Sequence, residues 1–261
     1  MATAVTPHVC SVNGRYRCNG TDCGDNAKGE RYQGVCDKDG CDFNPYRMGD
    51  TTFFGAGASF KVDTTKPFTV VTQWVTADGT DSGDLSEIKR FFVQGGDRID
   101  YPNVTAGGAT FDSVSDNFCA AQKKEFGDKN DFAAKGGLKV MGGALDRGMV
   151  LVMSIWDDHD VDMLWLDSSY PPTKPVGAPG VTRGACPTSS GKPADVEANS
   201  PNAYASYGNI KYGEIGSTNP APGPGPSGCP GGSLPACIAL CPSNPPAAYK
   251  ACVDDCVKRC P

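Results

Sequence analysis

Two tryptophans, Trp156 and Trp165, flank a short acidic stretch made of Asp157, Asp158, His159, Asp160 and Asp162. An indole face is flat and apolar and suits the apolar face of a ring ligand as readily as a protein core. Their separation is odd, and on one unbroken strand they would face opposite sides. Both reach one cleft only if a turn intervenes, and residues 157–160 supply it. In an anonymous β protein, two core tryptophans would be the plainer account. Asp158, Asp160 and Asp162 alternate onto one strand face and invite a cation. Hard cations take more converging oxygens than one short turn offers, so the expectation is a solvated acidic turn with no metal and no cofactor.

Charged and phenolic side chains, Arg31, Asp39, Asp42, Arg47, Tyr170 and Arg183 among them, are scattered along the chain. Guanidinium forks and carboxylates hydrogen-bond hydroxyl groups well. Taken alone, charges in a Gly-rich loop are ordinarily just solvated. His8, beside Pro7, is on its own an ordinary neutral loop histidine.

The elements that must carry these groups are short. With 33 Gly and 21 Pro in 261 residues and few long helix-period runs, the chain reads as an all-β sandwich or barrel. Residues 1–50 form a Cys- and Gly-rich loop region, while 68–74, 88–93, 149–156 and 163–166 gather β-branched and aromatic residues and read as strands. Residues 113–126 and 136–148 carry apolar side chains at helical spacing (Phe118, Ala121, Phe126; Leu138, Met141, Leu145). Residues 203–212 alternate as a last strand would. Residues 217–228 are a Pro/Gly linker that cannot bury apolar surface. The domain therefore spans 1–216, and residues 229–261 form a separate Cys-rich module.

A formal net charge of -6 repels phosphate backbones and anionic lipid, which makes nucleic acid and membranes poor partners and leaves a neutral sugar acceptable. Thirteen Cys with no zinc-type spacing read as disulfides in an oxidising, extracellular setting. Sequons at Asn19 and Asn103 agree with secretion and glycosylation. The N-terminus lacks the charged start and apolar stretch of a signal peptide, so an incomplete secretory chain is expected. In the tail, two Cys-x3-Cys pairs at helical spacing suit a hairpin of two helices, with Cys237 paired to Cys256, Cys241 to Cys252 and Cys229 to Cys260. Tyr249 is its only aromatic residue, so protein–protein docking or simple capping suits it at least as well as anchoring to a polysaccharide, and its ligand stays open.

Residues 36–49, Cys-Asp-Lys-Asp-Gly-Cys-Asp-Phe-Asn-Pro-Tyr-Arg-Met-Gly, closely resemble a signature of family 7 cellobiohydrolases. So do residues 63–73, 148–158 and 163–168, and the resemblance runs from about residue 4 to residue 218. It implies a concanavalin-like β-jelly-roll sandwich enclosing a cellulose-binding tunnel, here without its N-terminal part. It also implies a monomer that releases cellobiose from reducing ends by retaining hydrolysis. Trp156 and Trp165 then match sugar-stacking positions. Arg31, Asp39, Asp42, Arg47, Tyr170 and Arg183 match the leaving-group and product end, and His8 matches a histidine beside the catalytic strand.

In this family the nucleophile and the acid/base share a Glu-x-Asp-x-x-Glu strand just before the Thr-Pro-His found here at residues 6–8. No such pattern occurs in the chain, so no catalytic residue is assigned, and Met1 reads as an internal methionine of a truncated gene model. The resemblance implies disulfides joining Cys10 to Cys36, Cys18 to Cys23 and Cys41 to Cys119, with Cys186 unpaired. The loop at residues 23–31 is of full length, as in tunnel-forming members, although Ala27 stands where many carry a tyrosine. A non-catalytic carbohydrate-binding protein of the same fold is the alternative reading.

Overall fold

A computed structural model describes residues 2–218, 237, 238, 241 and 246–259. Residues 2–50 contribute isolated bridges, Val5 to Phe43, Cys10 to Cys36 and Asp25 to Arg31, and no strand. Covalent ties replace the missing ladder. Cys10–Cys36 and Cys18–Cys23 close the loops on themselves, and Cys41–Cys119 fastens them to the first helix.

The strands that follow are short. β1 (Phe54–Gly55) and β2 (Val62–Asp63) pair in parallel. β3 (Thr69–Thr76), β4 (Leu85–Gln94) and β5 (Asp97–Asp100) form a three-stranded sheet in that order, with β5 antiparallel to β4. β6 (Val104–Ala106) and β7 (Ala109–Phe111) make a hairpin. Its two loop residues are Gly107 and Gly108, both at positive φ (57° and 81°), the backbone that a tight two-residue hairpin loop demands. The expectation at 88–93 thus falls inside β4, and that at 68–74 coincides with β3 from Thr69 onward.

Helix α1 (Asp116–Phe126) starts where the Ser115 side chain accepts from the Phe118 N–H, and it buries Phe118, Cys119, Gln122 and Phe126. α2 (Asp131–Ala134) is capped by Asn130, and α3 (Gly137–Asp146) buries Leu138. α1 and α3 occupy the helix-period stretches. α4 (Leu164–Asp167), α5 (Pro193–Asn199) and α6 (Pro246–Arg259) complete the set among the described residues.

The chain forms two compact units. The first comprises Met1–Phe53, Gln73–Lys89 and Tyr101–Gly208, and the second Phe54–Thr72, Arg90–Asp100 and Asn209–Pro261. In the first, Phe43 stacks on Phe118 at 4.8 Å between ring centroids and meets Tyr101 at 5.2 Å, while Phe53 stands edge-on to Tyr101. In the second, Phe54, Phe68 and Phe92 form a triad with centroids 5.6–5.7 Å apart. Rings that bury large apolar area at tilted or edge geometry are efficient cores for units this poor in regular structure.

Three expected strands are absent. Residues 149–156 have no regular structure and belong to no sheet, and residues 203–212 likewise run outside any sheet and exposed. A strand is stable only against another strand, and among the described residues none pairs with either segment. Residues 163–166 fall in α4, because Asp162 and Met163 take left-handed φ values (54° and 61°) and turn the chain into a helix.

In the tail, α6 bears Cys252 and Cys256, bonded to Cys241 and Cys237. The expected bond from Cys229 to Cys260 and most of the Pro/Gly linker lie outside the described residues.

Candidate functional site

Trp156 and Trp165 lie stacked, with centroids 6.1 Å apart and planes 25° from parallel. The turn between them is organised by Asp158, which is 9% exposed. Its Oδ1 accepts the N–H groups of Asp160 (3.0 Å) and Val161 (3.3 Å), and its Oδ2 accepts from Met163 N (3.2 Å) and the Trp165 indole Nε1 (2.9 Å). Burial pushes this carboxyl upward in pKa, but the Asp160 N–H, the Trp165 indole and the Val161 and Met163 N–H groups together hold it below the usual carboxylate value. Trp156 is 57% exposed and presents apolar ring to solvent.

Immediately behind Trp165 stands Arg183. Its Nη1 donates to the Trp165 carbonyl and its Nε to the Tyr170 carbonyl, both at 3.4 Å, and its guanidinium lies 5.7 Å from the Tyr170 ring centroid. Burial, and after it the Arg47 charge, draws Arg183 below its ordinary pKa, against the pull of Asp42, Asp128 and Asp39. Asn44 locks this corner by donating to the carbonyls of Leu166 (3.2 Å) and Arg183 (3.0 Å).

Arg47 is the hub below, its side chain only 2% exposed. It reaches Asp42 Oδ1 (2.6 Å), Asp128 Oδ2 (2.8 Å) and the Gly180 carbonyl (2.7 Å), and lies over the Phe126 ring at 4.4 Å. Asp42 also accepts from Gln122 at 3.1 Å. With its donors engaged this way, Arg47 shapes the floor under Arg183.

Arg31 pairs with Asp39, whose other oxygen accepts from Tyr32 Oη at 2.7 Å. Tyr170 acts electrostatically on Arg31, and Asp39 on Arg183, so the two charged clusters share one neighbourhood. His8 is exposed, with Nδ1 2.9 Å from the Asp37 carbonyl oxygen. A Cβ on Gly40, which sits at φ +70°, would come within 2.9 Å of the His8 ring. Asp37 itself is buried, and that burial raises its carboxyl pKa against the Gly40 N–H and the His8 charge.

A family model described as Glycosyl hydrolase family 7 matches residues 1–219. The chain belongs to glycosyl hydrolase family 7. A crystal structure of a family 7 cellobiohydrolase from Daphnia pulex is 57% identical with a TM-score of 0.73, over 77% of this chain and 46% of that one. The cellobiohydrolase from Melanocarpus albomyces complexed with cellotetraose is 42% identical, with a TM-score of 0.67 over 77% and 44%. The Humicola insolens endocellulase EGI is 36% identical, with a TM-score of 0.61 over 77% and 44%. The chain thus spans a little under half the length of these relatives. The fold class is the mostly-β jelly-roll type of the family, with sheets that remain open.

Within this family 7 chain the structure brings Trp156, Trp165, Tyr170 and Arg183 together, with Asp42 and Arg47 beneath them. Arg31 and Asp39 form a neighbouring pair, and His8 stands on the loop backed by Gly40. Sequence reasoning overlooked Asn44, Gln122 and Asp128, and weighed Asp158 only as one charge of a solvated turn. Asn44 lies inside the 36–49 signature string and was legible there. Asp128 and Gln122 carry no signal of their own, since only folding brings them to Arg47 and Asp42.

Proposed function

We propose that this chain forms the leaving-group and product end of the cellulose-binding tunnel of a secreted, reducing-end cellobiohydrolase. The whole enzyme releases cellobiose by retaining hydrolysis of β-1,4-glucosidic bonds. The observation that carries the reading is the Trp156–Trp165 stack anchored by Asp158 directly against Arg183 and Tyr170. Support comes from the cellobiohydrolases among its relatives, one of them complexed with cellotetraose.

A pyranose lays its C–H face on an exposed indole, while Arg183, Arg31 and Asp39 at the rim exchange hydrogen bonds with its hydroxyls. Arg47, Asp42 and Asn44 hold those groups in place. Retention further requires a nucleophile and an acid/base about 5–5.5 Å apart. No Glu-x-Asp-x-x-Glu pattern occurs in these 261 residues, so the polypeptide by itself binds cello-oligosaccharide without cleaving it. The same absence supports a second reading, a non-catalytic carbohydrate-binding protein of this fold.

Tryptophan fluorescence titrated with cellotetraose, and with maltotetraose as control, tests the proposal. Trp165→Ala and Trp156→Ala are each expected to weaken cellotetraose binding about tenfold, a loss of about 1.4 kcal/mol. Unchanged affinity in both variants would sink it. So would hydrolysis of cellotetraose by the purified chain that vanishes on replacing one of its own Asp or Glu residues. Activity of the natively secreted protein on cellulose separates the enzyme from the binding-protein reading.

A further inference from the structure

Tyr32 holds a backbone conformation that its side chain disfavours. Its φ is 68°, in the left-handed region where a bulky residue other than glycine is an outlier. Such a conformation persists only where its surroundings enforce it, and such places gather at binding and switch sites. Two sets of contacts enforce it here. Lys135, the residue that ends α2, donates from Nζ to the Tyr32 carbonyl at 3.3 Å, and the same ammonium donates to both oxygens of the buried Asp131 at 3.0 Å. At the side chain, the Arg31 guanidinium and the Lys129 ammonium lie 4.9 Å and 4.6 Å from the Tyr32 ring centroid.

This anchoring delivers the phenol to a carboxylate. Tyr32 Oη donates to Asp39 Oδ2 at 2.7 Å, while Asp39 Oδ1 accepts from the Arg31 guanidinium. Burial raises the phenol's pKa, with Arg31 pulling it down and Asp39 pushing it up, so the group is a protonated donor in neutral solution. The Arg31 side chain is 47% exposed, and a pair in that setting pays side-chain entropy to hold one geometry. A third group fixed to the scaffold removes that freedom from Asp39.

We propose, resting on the carbohydrate reading above, that Tyr32 is a positioning residue: anchored through Lys135, it fixes Asp39 and so holds the Arg31–Asp39 pair ready for the hydroxyls of cellobiose before the sugar arrives. Groups ordered in advance lose less freedom on binding, and the gain appears as affinity. The strained backbone of Tyr32 is then the local cost of a clamp that water alone would leave loose.

Tyr32→Phe keeps the ring and both cations against it and deletes only Oη. Calorimetric titration of the full chain with cellobiose should show binding weakened about fivefold, the effect of one net hydrogen bond, with the melting temperature close to the parent's. Asp39→Ala should weaken binding about tenfold, and adding Tyr32→Phe to it should weaken binding no further, because Tyr32 acts through Asp39. A merely structural role would instead multiply the two losses to about fiftyfold. Unchanged affinity in Tyr32→Phe, or multiplied losses in the double variant, would overturn the proposal. A second readout needs no sugar. The Arg31 Nε–H resonance of the free protein should shift in Tyr32→Phe as it does in Asp39→Ala, and a resonance left in place by Tyr32→Phe overturns the positioning of the pair. A parent chain that binds no cellobiose, yet shows that shift, overturns the carbohydrate reading and upholds Tyr32 as the group that fixes Asp39.

Discussion

The indole Nε1 of Trp165 donates to Asp158 Oδ2 at 2.9 Å, and the same carboxylate gathers three backbone N–H groups, from Asp160, Val161 and Met163. One side chain therefore sets both the turn and the plane of a proposed sugar platform. Asp158→Ala leaves four donors without their acceptor and should cost about 2–4 kcal/mol, given roughly 1.5–3 kcal/mol for a hydrogen bond to a charged group and partial rescue by water. Urea denaturation measures the loss, and cellotetraose titration should show weakened binding before the protein unfolds.

Arg47→Met removes the charge that compensates Asp42 and Asp128 in a buried setting. Breaking one side of such a network should destabilise the first unit by about 3–5 kcal/mol. The pH profile adds a second readout. Burial pushes the Asp128 carboxyl up, but the Arg47 hydrogen bond and charge, with Lys123 and Lys174, bring it below its ordinary value. A depressed folded value contributes stability above the unfolded carboxylate value, about 3.9, and that stability is lost as pH falls toward the folded value. Acid unfolding curves of Arg47→Met should show this Asp128-linked loss diminished below about pH 4.

The disulfides differ in leverage. Cys41–Cys119 closes a separation of 78 residues and joins two fully buried sulfurs, whereas Cys18–Cys23 closes only 5. Loop-closure entropy assigns roughly 4.5 kcal/mol to the first and roughly 2 kcal/mol to the second. Paired Cys→Ala replacements compared by thermal unfolding should reproduce that order, and equal effects would contradict it.

Gly40→Ala should be disproportionately harmful for so small a change. The residue sits at φ +70°, and a Cβ would approach Thr6 Cγ2 to 2.5 Å and the His8 ring to 2.9 Å. Backbone strain of this kind costs about 1–3 kcal/mol. A lowered melting temperature together with shifted His8 ring resonances checks it, while Ala at the unobstructed Gly177 serves as the control.

The candidate site is legible in the sequence through the family resemblance more than through residue type. Trp156 and Trp165 were named for stacking on condition that a turn lay between them, and the turn exists. The resemblance alone groups Arg31, Asp39, Asp42, Tyr170 and Arg183; in the structure Arg183 meets Tyr170 and Asp42, and Arg31 pairs with Asp39. The resemblance places Arg47 at the same leaving-group and product end, and the structure buries its side chain where Arg31 stays exposed. That distinction has no sequence signal, because a guanidinium in a Gly-rich loop reads the same whether water or a Phe126 ring covers it.

By itself, the sequence determined the family, through long strings of unusual composition, and the local elements that need only their own residues, such as α1 with its Ser115 cap and the β6–β7 hairpin with its Gly pair. Tertiary structure alone decided which strand-like runs became strands. Residues 69–76 found a partner in β4, while 149–156 and 203–212, equally strand-like in pattern, did not. Side-chain pattern is local, but the backbone hydrogen bonds that make a sheet come from chain far away, and only their presence turns an extended segment into a strand.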